Sequence, residues 1–421
     1  MKLIELSEKE FTNFASKHKY ANFMQTVEMY NFKKESNPNN YLLGLTDGDK
    51  IIAATSIYGT KGFMGKYNFY APRGFLIDYN DKNLLTTFTE LIKDWVKSKN
   101  GFRIVIDPAV IYRFRDSHGV IKEDDKPNDE AINNLLNLGY RHAGFNNYLE
   151  TTQVRWCFLS KLEGSHEDKK KEYSKSTRKN IETAYNKGLR IREGNEDDLD
   201  SMEYIFDETS KRKNFNVSSI SYWKKYMKAL GKLATLYIAY IDPDIYLNST
   251  KELLENEKKL NKEILYKLDK YNVGPKLLKQ KETSDNHIKK YEDELKVAET
   301  FKKDNPNGKT IAGLIAIRSG NEFLTLSSGS LSEYFSFYPK YLMYDQVVKD
   351  AYEEGLKYVN FYGIMGNFEK KNNPYYGIYE IKKGFSGEVT EYIGEFSLGV
   401  TSLNNLYDLL SGIKRILKNS K

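Results

Sequence analysis

The sequence predicts a mixed α/β (α+β) chain in which one unit occurs twice in tandem and a helical hairpin interrupts the second copy. Three observations predict this. β-rich runs alternate with amphipathic helical runs in the same order in both halves, strands so interleaved with helices imply layered α/β architecture, and a long segment of different composition splits the second half.

In the first half, YLLGLTDGDKIIAATSIYG (41–59) holds two β-rich runs broken by Asp47-Gly48, a tight-turn dipeptide that reads as a β-hairpin. LLTTFTELIKDWVKSKN (84–100) then carries apolar residues at helical spacing, and GFRIVIDP (101–108) reads as a buried strand. LNLGYRHAGF (136–145) follows, with an aromatic after glycine. The second half repeats the order as hairpin TIAGLIAIRSGNEFLTLSSG (310–329), helix YLMYDQVVKDAYEEGL (341–356), strand LKYVNFYGI (356–364) and IKKGFSGEVTEYIGEF (381–396). Chance recurrence of common elements is the competing account. The cleft between two such copies is the natural ligand site.

From Thr250 to Lys303 the chain is dominated by Lys, Glu, Leu and Asn, a composition of long helices. Leu253, Leu260, Ile264, Leu268 and Tyr271 mark one seam; Leu277, Lys281, Ser284, Ile288, Tyr291, Leu295 and Ala298 mark another, four and three apart. Gly274-Pro275 separates them, so the two form an antiparallel hairpin whose Lys-rich surface is a solvated spacer or a handle for phosphates. The resulting divisions are 1–150 for the first unit, 151–248 with 304–400 for the second, 249–303 for the arm and 401–421 for a terminal amphipathic helix.

Composition limits the function classes. With 421 residues, 40% hydrophobic and 14% aromatic, the chain is globular and long enough for more than one core. A net charge of +7 permits an anionic partner without requiring one. Cys157 alone excludes a disulfide framework and points to a reducing, cytosolic setting. No run approaches the ~20 apolar residues of a membrane span, and the start lacks a signal-peptide pattern. The basic LYDLLSGIKRILKNSK (406–421) packs as a terminal helix or touches a membrane surface. There is no G-x-x-x-x-G-K-[ST] loop and no metal spacing among His18, His118, His142, His166 and His287, so activation energy must arrive with the substrate.

MQTVEMYNFKK (24–34), YAPRGFLIDY (70–79), IDP (106–108) and QVRW (153–156), followed by LSSGS (326–330), YVNFYGIMGNF (358–368) and GIYEIKKGFSGEVTEYIGEF (377–396), carry a resemblance over nearly the whole chain. It closely resembles the Fem-type peptidoglycan aminoacyltransferases, particularly the FemA and FemB branch. The resemblance implies two GNAT-like acyltransferase domains with a coiled-coil arm inserted in the second. It further implies transfer of an amino acid, glycine or else serine or alanine, from aminoacyl-tRNA to the interpeptide bridge of a lipid-linked muropeptide. The aminoacyl-tRNA is then a co-substrate and no cofactor is expected. The setting implied is the cytoplasmic membrane face, and homo- or heterodimers with paralogues belong to the same expectation.

The resemblance also assigns residues. Lys382 matches the position credited with stabilising the oxyanion formed on the ester carbonyl, the alternative being a surface strand lysine. Its neighbour Lys383 matches a position of variable charge, and Ile381 departs from the usual Phe. Lys33 and Asp107 match acceptor contacts; the alternatives are an exposed helix residue and a strand cap before Pro108. Arg73 and Arg155 stand in family-like contexts, with structural ion pairing as the equal alternative. Arg212 matches an acceptor-binding position of shorter relatives at which FemA-like chains vary, and Tyr362 points to the second-domain cleft wall, with ordinary core packing as the equal alternative. Two other functions share this fold expectation: an acetyl-CoA-dependent N-acetyltransferase, against which the lack of a pyrophosphate loop counts, and a degenerate paralogue that binds tRNA or muropeptide as a scaffold or immunity factor.

Overall fold

The computed structural model describes every residue except 149, 214–217, 271–273 and 420–421. Its strands are β1 (Lys2–Glu5), β2 (Asn40–Asp47), β3 (Lys50–Lys61), β4 (Tyr67–Ala71), β5 (Gly101–Ile106), β6 (Ile111–Arg115), β7 (Arg141–His142), β8 (Trp156–Lys161), β9 (Leu189–Glu193), β10 (Ala234–Ile241), β11 (Lys309–Ser319), β12 (Glu322–Ser330), β13 (Tyr358–Gly363), β14 (Glu388–Tyr392) and β15 (Phe396–Gly399). They form a seven-stranded sheet, β1-β2-β3-β4-β5-β15-β7, and an eight-stranded one, β6-β14-β8-β13-β12-β11-β10-β9. Among the described residues every neighbouring pair is antiparallel except β4 with β5 and β12 with β13. A helical crossover joins each parallel pair, Lys82–Ser98 in the first sheet and Pro339–Glu353 in the second. Asp81 starts the first of these helices by capping the Leu84 N–H at 3.0 Å, and Leu85, Phe88, Ile92 and Val96, three and four apart, bury its inner face.

The series β1 to β5 corresponds in order to β9 to β13, so the duplication is real but displaced by one strand from the sequence reading. That reading matched the hairpin β2–β3 with β11–β12, whereas strand order matches it with β10–β11. The displacement arises at β4, a short aromatic run after a glycine-rich turn that carries no alternation of apolar and polar residues. The correspondence locates the arm. Where the first unit closes with Asp47 opposite Lys50, the second leaves at Ile241 and returns at Lys309, with two long helices in place of the tight turn.

Those helices, Pro243–Lys270 and Pro275–Asp304, run antiparallel, as the contacts Asp244 to Lys302 (2.5 Å), Lys258 to Glu292 (3.1 Å) and Asn261 to Ser284 (3.1 Å) require. The buried seam passes through Leu247, Leu254, Asn261 and Ile264 on one helix and Ser284, Ala298 and Phe301 on the other. Leu253 and Leu260 of the expected seam are thus one residue out of place, and Leu260 is 47% exposed. Asn261 is the cause: a polar residue inside the seam drops out of any apolar count. Tyr271 lies outside the described residues.

Strand pairing, and not chain order, sets the membership of each sheet. β15, from the end of the 304–400 segment, is inserted between β5 and β7; β6, from the 1–150 segment, forms the edge of the second sheet beside β14. A third apolar core lies between the units. The helices Val27–Ser36 and Ile220–Leu230 follow β1 and β9 in their respective units, and they meet where Phe32 stands edge-on to Tyr222 (5.3 Å) and Tyr226 (5.2 Å). Phe23, Met29, Met202 and Trp223 complete that core. The terminal helix Leu403–Asn419 docks on the first sheet through Tyr407, which packs on Phe102, and Asp408, which pairs with Arg103 (3.3 Å) and Arg141 (2.5 Å). Among the described residues no helix is long and apolar enough to cross a membrane.

Candidate functional site

Parallel strands end together, and the carboxyl ends of β4 and β5 bring Tyr70, Arg73 and Asp107 to one place. Asp107 follows β5 directly and is buried. Its Oδ1 accepts the Arg73 backbone N–H at 2.6 Å and its Oδ2 accepts the Tyr70 hydroxyl at 2.6 Å. Arg73 turns its N–H onto the carboxylate by adopting φ 52°, a left-handed conformation uncommon for a side-chain-bearing residue. Burial raises the Asp107 carboxyl to about 6 even against the Arg73 charge and these hydrogen bonds. Burial likewise disfavours the Arg73 charge, but Asp107, Tyr362 and Tyr392 more than offset it, and the guanidinium stays protonated. It stacks 4.6 Å from the centre of the Tyr392 ring and donates to the Val154 carbonyl at 2.7 Å.

The second unit contributes Tyr362 and Lys382 from the corresponding end of β13. A register shift between Asn360 and Gly363 opens the β13–β8 ladder. Tyr362 takes φ 60° there, and its N–H donates to Asn360 Oδ1 at 2.9 Å. The freed carbonyls point at Lys382, whose Nζ donates to Gly363 O at 2.7 Å and to Tyr362 O at 3.3 Å. The surface-strand alternative for Lys382 does not describe this residue: it occupies the last turn of the helix Tyr376–Lys383 and is buried. Burial, aided by the charge of Lys340, lowers the ammonium to about 7. Among the described residues no carboxylate pairs with it.

Gln153, in the link between the units, joins the two groups. Its Nε2 donates to the Tyr70 hydroxyl at 3.4 Å, and its Oε1 accepts the Tyr362 hydroxyl at 3.2 Å. Lys33 lies on the same side. It is half-buried in the helix Val27–Ser36, with Nζ 5.6 Å from the Phe32 ring centre and 5.4 Å from that of Tyr58, whose ring packs edge-on to Tyr70. Burial lowers its pKa, with no carboxylate beside it to oppose that. Lys33, Arg73, Asp107, Tyr362 and Lys382 are therefore brought together between the units.

The remaining expected residues lie elsewhere. Arg155 is buried in an ion pair with Glu391, which also takes Arg115 at 3.0 Å, and its guanidinium lies 4.4 Å from the Phe145 ring centre. This is the ion-pairing alternative weighed for it. Arg212 is exposed over the Phe335 ring at 4.6 Å and reaches the Ser330 carbonyl at 3.4 Å. Lys383 turns away from Lys382 to pair with Glu380 at 2.5 Å.

Sequence reasoning missed Tyr58, Tyr70, Gln153, Glu322 and Tyr392. Glu322 is enclosed beside Arg73 and Tyr392, accepts Asn360 Nδ2 at 2.8 Å and has its pKa raised by burial. In the sequence it follows Ser-Gly-Asn and reads as an ordinary turn residue. Tyr70 and Gln153 stand inside quoted motifs, but neither carries a charge to draw notice. Among the described residues no group of His, Cys, Asp and Glu could hold a metal ion. The arrangement instead sets a buried ammonium held by main-chain carbonyls on the side of the second unit and a hydrogen-bonded carboxylate on the side of the first, with Tyr362, Gln153 and Tyr70 between them. Such a pair can stabilise negative charge developing on one reactant while holding an amine or hydroxyl of another.

The model of the FemAB family matches residues 6–415. Aminoacyltransferase FemB of Staphylococcus epidermidis is 26% identical over 422 residues, covering 99% of this chain and 100% of that protein. Aminoacyltransferase FemA of the same species is 26% identical over 423 residues, with the same coverage. Among solved structures, the crystal structure of FemX superposes with a TM-score of 0.76 at 22% identity, covering 97% of this chain and 99% of that one, a likeness of fold.

Proposed function

The chain belongs to the FemAB family, and from that premise we propose that it is an aminoacyltransferase extending the interpeptide bridge of a peptidoglycan precursor. The donor is an aminoacyl-tRNA carrying glycine, or else serine or alanine; the acceptor is the free amine of a lipid-linked muropeptide at the cytoplasmic membrane face. The amine attacks the ester carbonyl, forming a C–N bond and placing the carbonyl electron pair on oxygen. Lys382 stabilises that oxyanion. Collapse breaks the ester C–O bond, and the extra proton of the amine passes to the departing oxygen, which leaves as the tRNA hydroxyl. Lys33 and Asp107 hold the acceptor.

One observation carries this reading: Lys382 is a buried ammonium whose hydrogen-bond partners are main-chain carbonyls, so its charge is unspent until an anion forms beside it. Mass measurement of a lipid-linked precursor incubated with the purified protein and a set of charged tRNAs tests it. A gain of one amino-acid residue is expected; no gain with any charged tRNA overturns the reading.

A further inference from the structure

Tyr70 and Asp107 belong to the first sheet, and Tyr362 and the carbonyls holding Lys382 belong to the second. The hydrogen bonds joining them all run in one sense. The Tyr362 hydroxyl donates to Gln153 Oε1 at 3.2 Å, Gln153 Nε2 donates to Tyr70 at 3.4 Å, and Tyr70 donates to Asp107 Oδ2 at 2.6 Å. The path ends at the Asp107 carboxylate, which also accepts the Arg73 backbone N–H at 2.6 Å. Gln153 is its one amide. With an acceptor and a donor on the same planar group, an amide transmits the sense of the chain between two hydroxyls; a carboxylate, all acceptor, or an apolar side chain does not. Chains of this kind polarise each member and stiffen the geometry.

We propose that Gln153 is a positioning residue for the transfer reaction, coupling the acceptor-side carboxylate of Asp107 to the Tyr362 turn that presents Lys382. It touches neither reacting atom. Its task is to hold Tyr70 and Tyr362 in one mutual orientation, so that the acceptor amine and the donor carbonyl meet in register, where small displacements are costly. The role rests on the aminoacyltransferase reading given above, but the link itself is a property of the protein without substrate.

Two measurements test it. The first needs no substrate: a double-mutant cycle in denaturation midpoint between Tyr70→Phe and Tyr362→Phe, whose hydroxyls the Gln153 amide bridges. The two losses are expected to be non-additive in the wild-type background and additive in the Gln153→Leu background. Additive losses in both backgrounds, or the same coupling in both, overturn the link.

The second is steady-state transfer. Gln153→Leu is expected to lower kcat at least ten-fold with KM for the acceptor changed less than three-fold, and Gln153→Glu to move the acid limb of the kcat/KM profile to higher pH, because a second negative charge then opposes ionisation of Asp107. A packing role predicts neither the split nor the moved limb, and an unmoved limb with kcat intact overturns the proposal. A wild-type protein that transfers nothing would defeat the functional reading, while the cycle would still decide whether Gln153 couples the two sides.

Discussion

The Nζ of Lys382 lies 2.7 Å from the carbonyl oxygen of Gly363, and burial, not a neighbouring carboxylate, sets its charge. A lysine lowered to about 7 in the folded protein but free to titrate near its ordinary 10.5 when unfolded makes stability depend on pH. Between those values the unfolded chain binds more protons than the folded one, so this group's contribution to stability rises with pH. Lys382→Met removes that dependence. It also leaves two carbonyls without a donor, an effect of the same size at every pH. The difference in Tm, variant minus wild type, is therefore expected to be most positive at pH 6 and to shrink steadily toward pH 10. A difference that stays constant over that range would refute the depressed lysine.

Lys382 and Lys33 are two half- or fully buried cations with different expected duties, and kinetics separate them. The oxyanion exists only during transfer, so Lys382→Ala should lower kcat by about 100- to 1000-fold, the cost of losing one such donor, with little change in KM. As the proposed holder of the acceptor, Lys33, beside Phe32 and Tyr58, should meet it in ground and transition states alike. Its removal should chiefly raise KM for the acceptor, by ten-fold or more if it holds an ionised group. Steady-state measurement of both variants checks this; equal effects on kcat and KM in Lys382→Ala, or an unchanged KM in Lys33→Ala, would contradict it.

What of this candidate site is legible in the sequence is legible through the family resemblance, whose motifs carry Asp107 in IDP, Arg73 in YAPRG and Lys382 in IKKGF. What stays hidden is what gathers them. Tyr70, Gln153 and Tyr392 are uncharged, and they acquire meaning only when the ends of β4 and β13 are joined through Gln153 and Arg73 stacks on Tyr392. The strand exchange is hidden for a like reason. β6 and β15 are five and four residues long, too short for periodicity to assign them to a sheet on the far side of the molecule. Arg155 illustrates the converse, since a motif made it conspicuous while its partner Glu391 lies 236 residues away.

That partner yields a stability prediction. Glu391 is 4% exposed and serves both Arg155 and Arg115, so it fastens the crossed strand β6 to β14 and β8. Glu391→Gln leaves two enclosed guanidinium groups without their counter-charge, and breaking a buried pair in this way costs about 3–5 kcal/mol. Asp293→Asn, which removes the exposed i,i+3 partner of Lys296, should cost at most ~1 kcal/mol. Urea denaturation of the two variants side by side checks the contrast, and similar midpoints would show that the clamp contributes little.

The arm offers a cleaner case of paired polar groups. Asn261 Nδ2 donates to Ser284 Oγ at 3.1 Å and to Asp285 Oδ1 at 2.9 Å, and both Asn261 and Ser284 are buried in a seam with Leu254, Ile264 and Ala298. Leucine at 261 alone would gain apolar burial but strip the Ser284 hydroxyl of its donor across the seam, a loss of about 1–3 kcal/mol for an enclosed group. Replacing both partners removes the penalty. Asn261→Leu is therefore expected to be neutral or destabilising, and the pair Asn261→Leu with Ser284→Ala to be the more stable of the two. The polar layer does more than stabilise, because a single asparagine inside a seam selects one register out of several that leucine would tolerate. A disulfide-trapping assay between cysteines placed at 258 and 292, whose side chains meet in the native register, should accordingly give one product in the wild-type background and slipped products as well in the doubly substituted arm. One product in both would mean that the anchoring contacts at the base, Asp244 with Lys302 and Tyr246 with Phe301, suffice to set the register unaided.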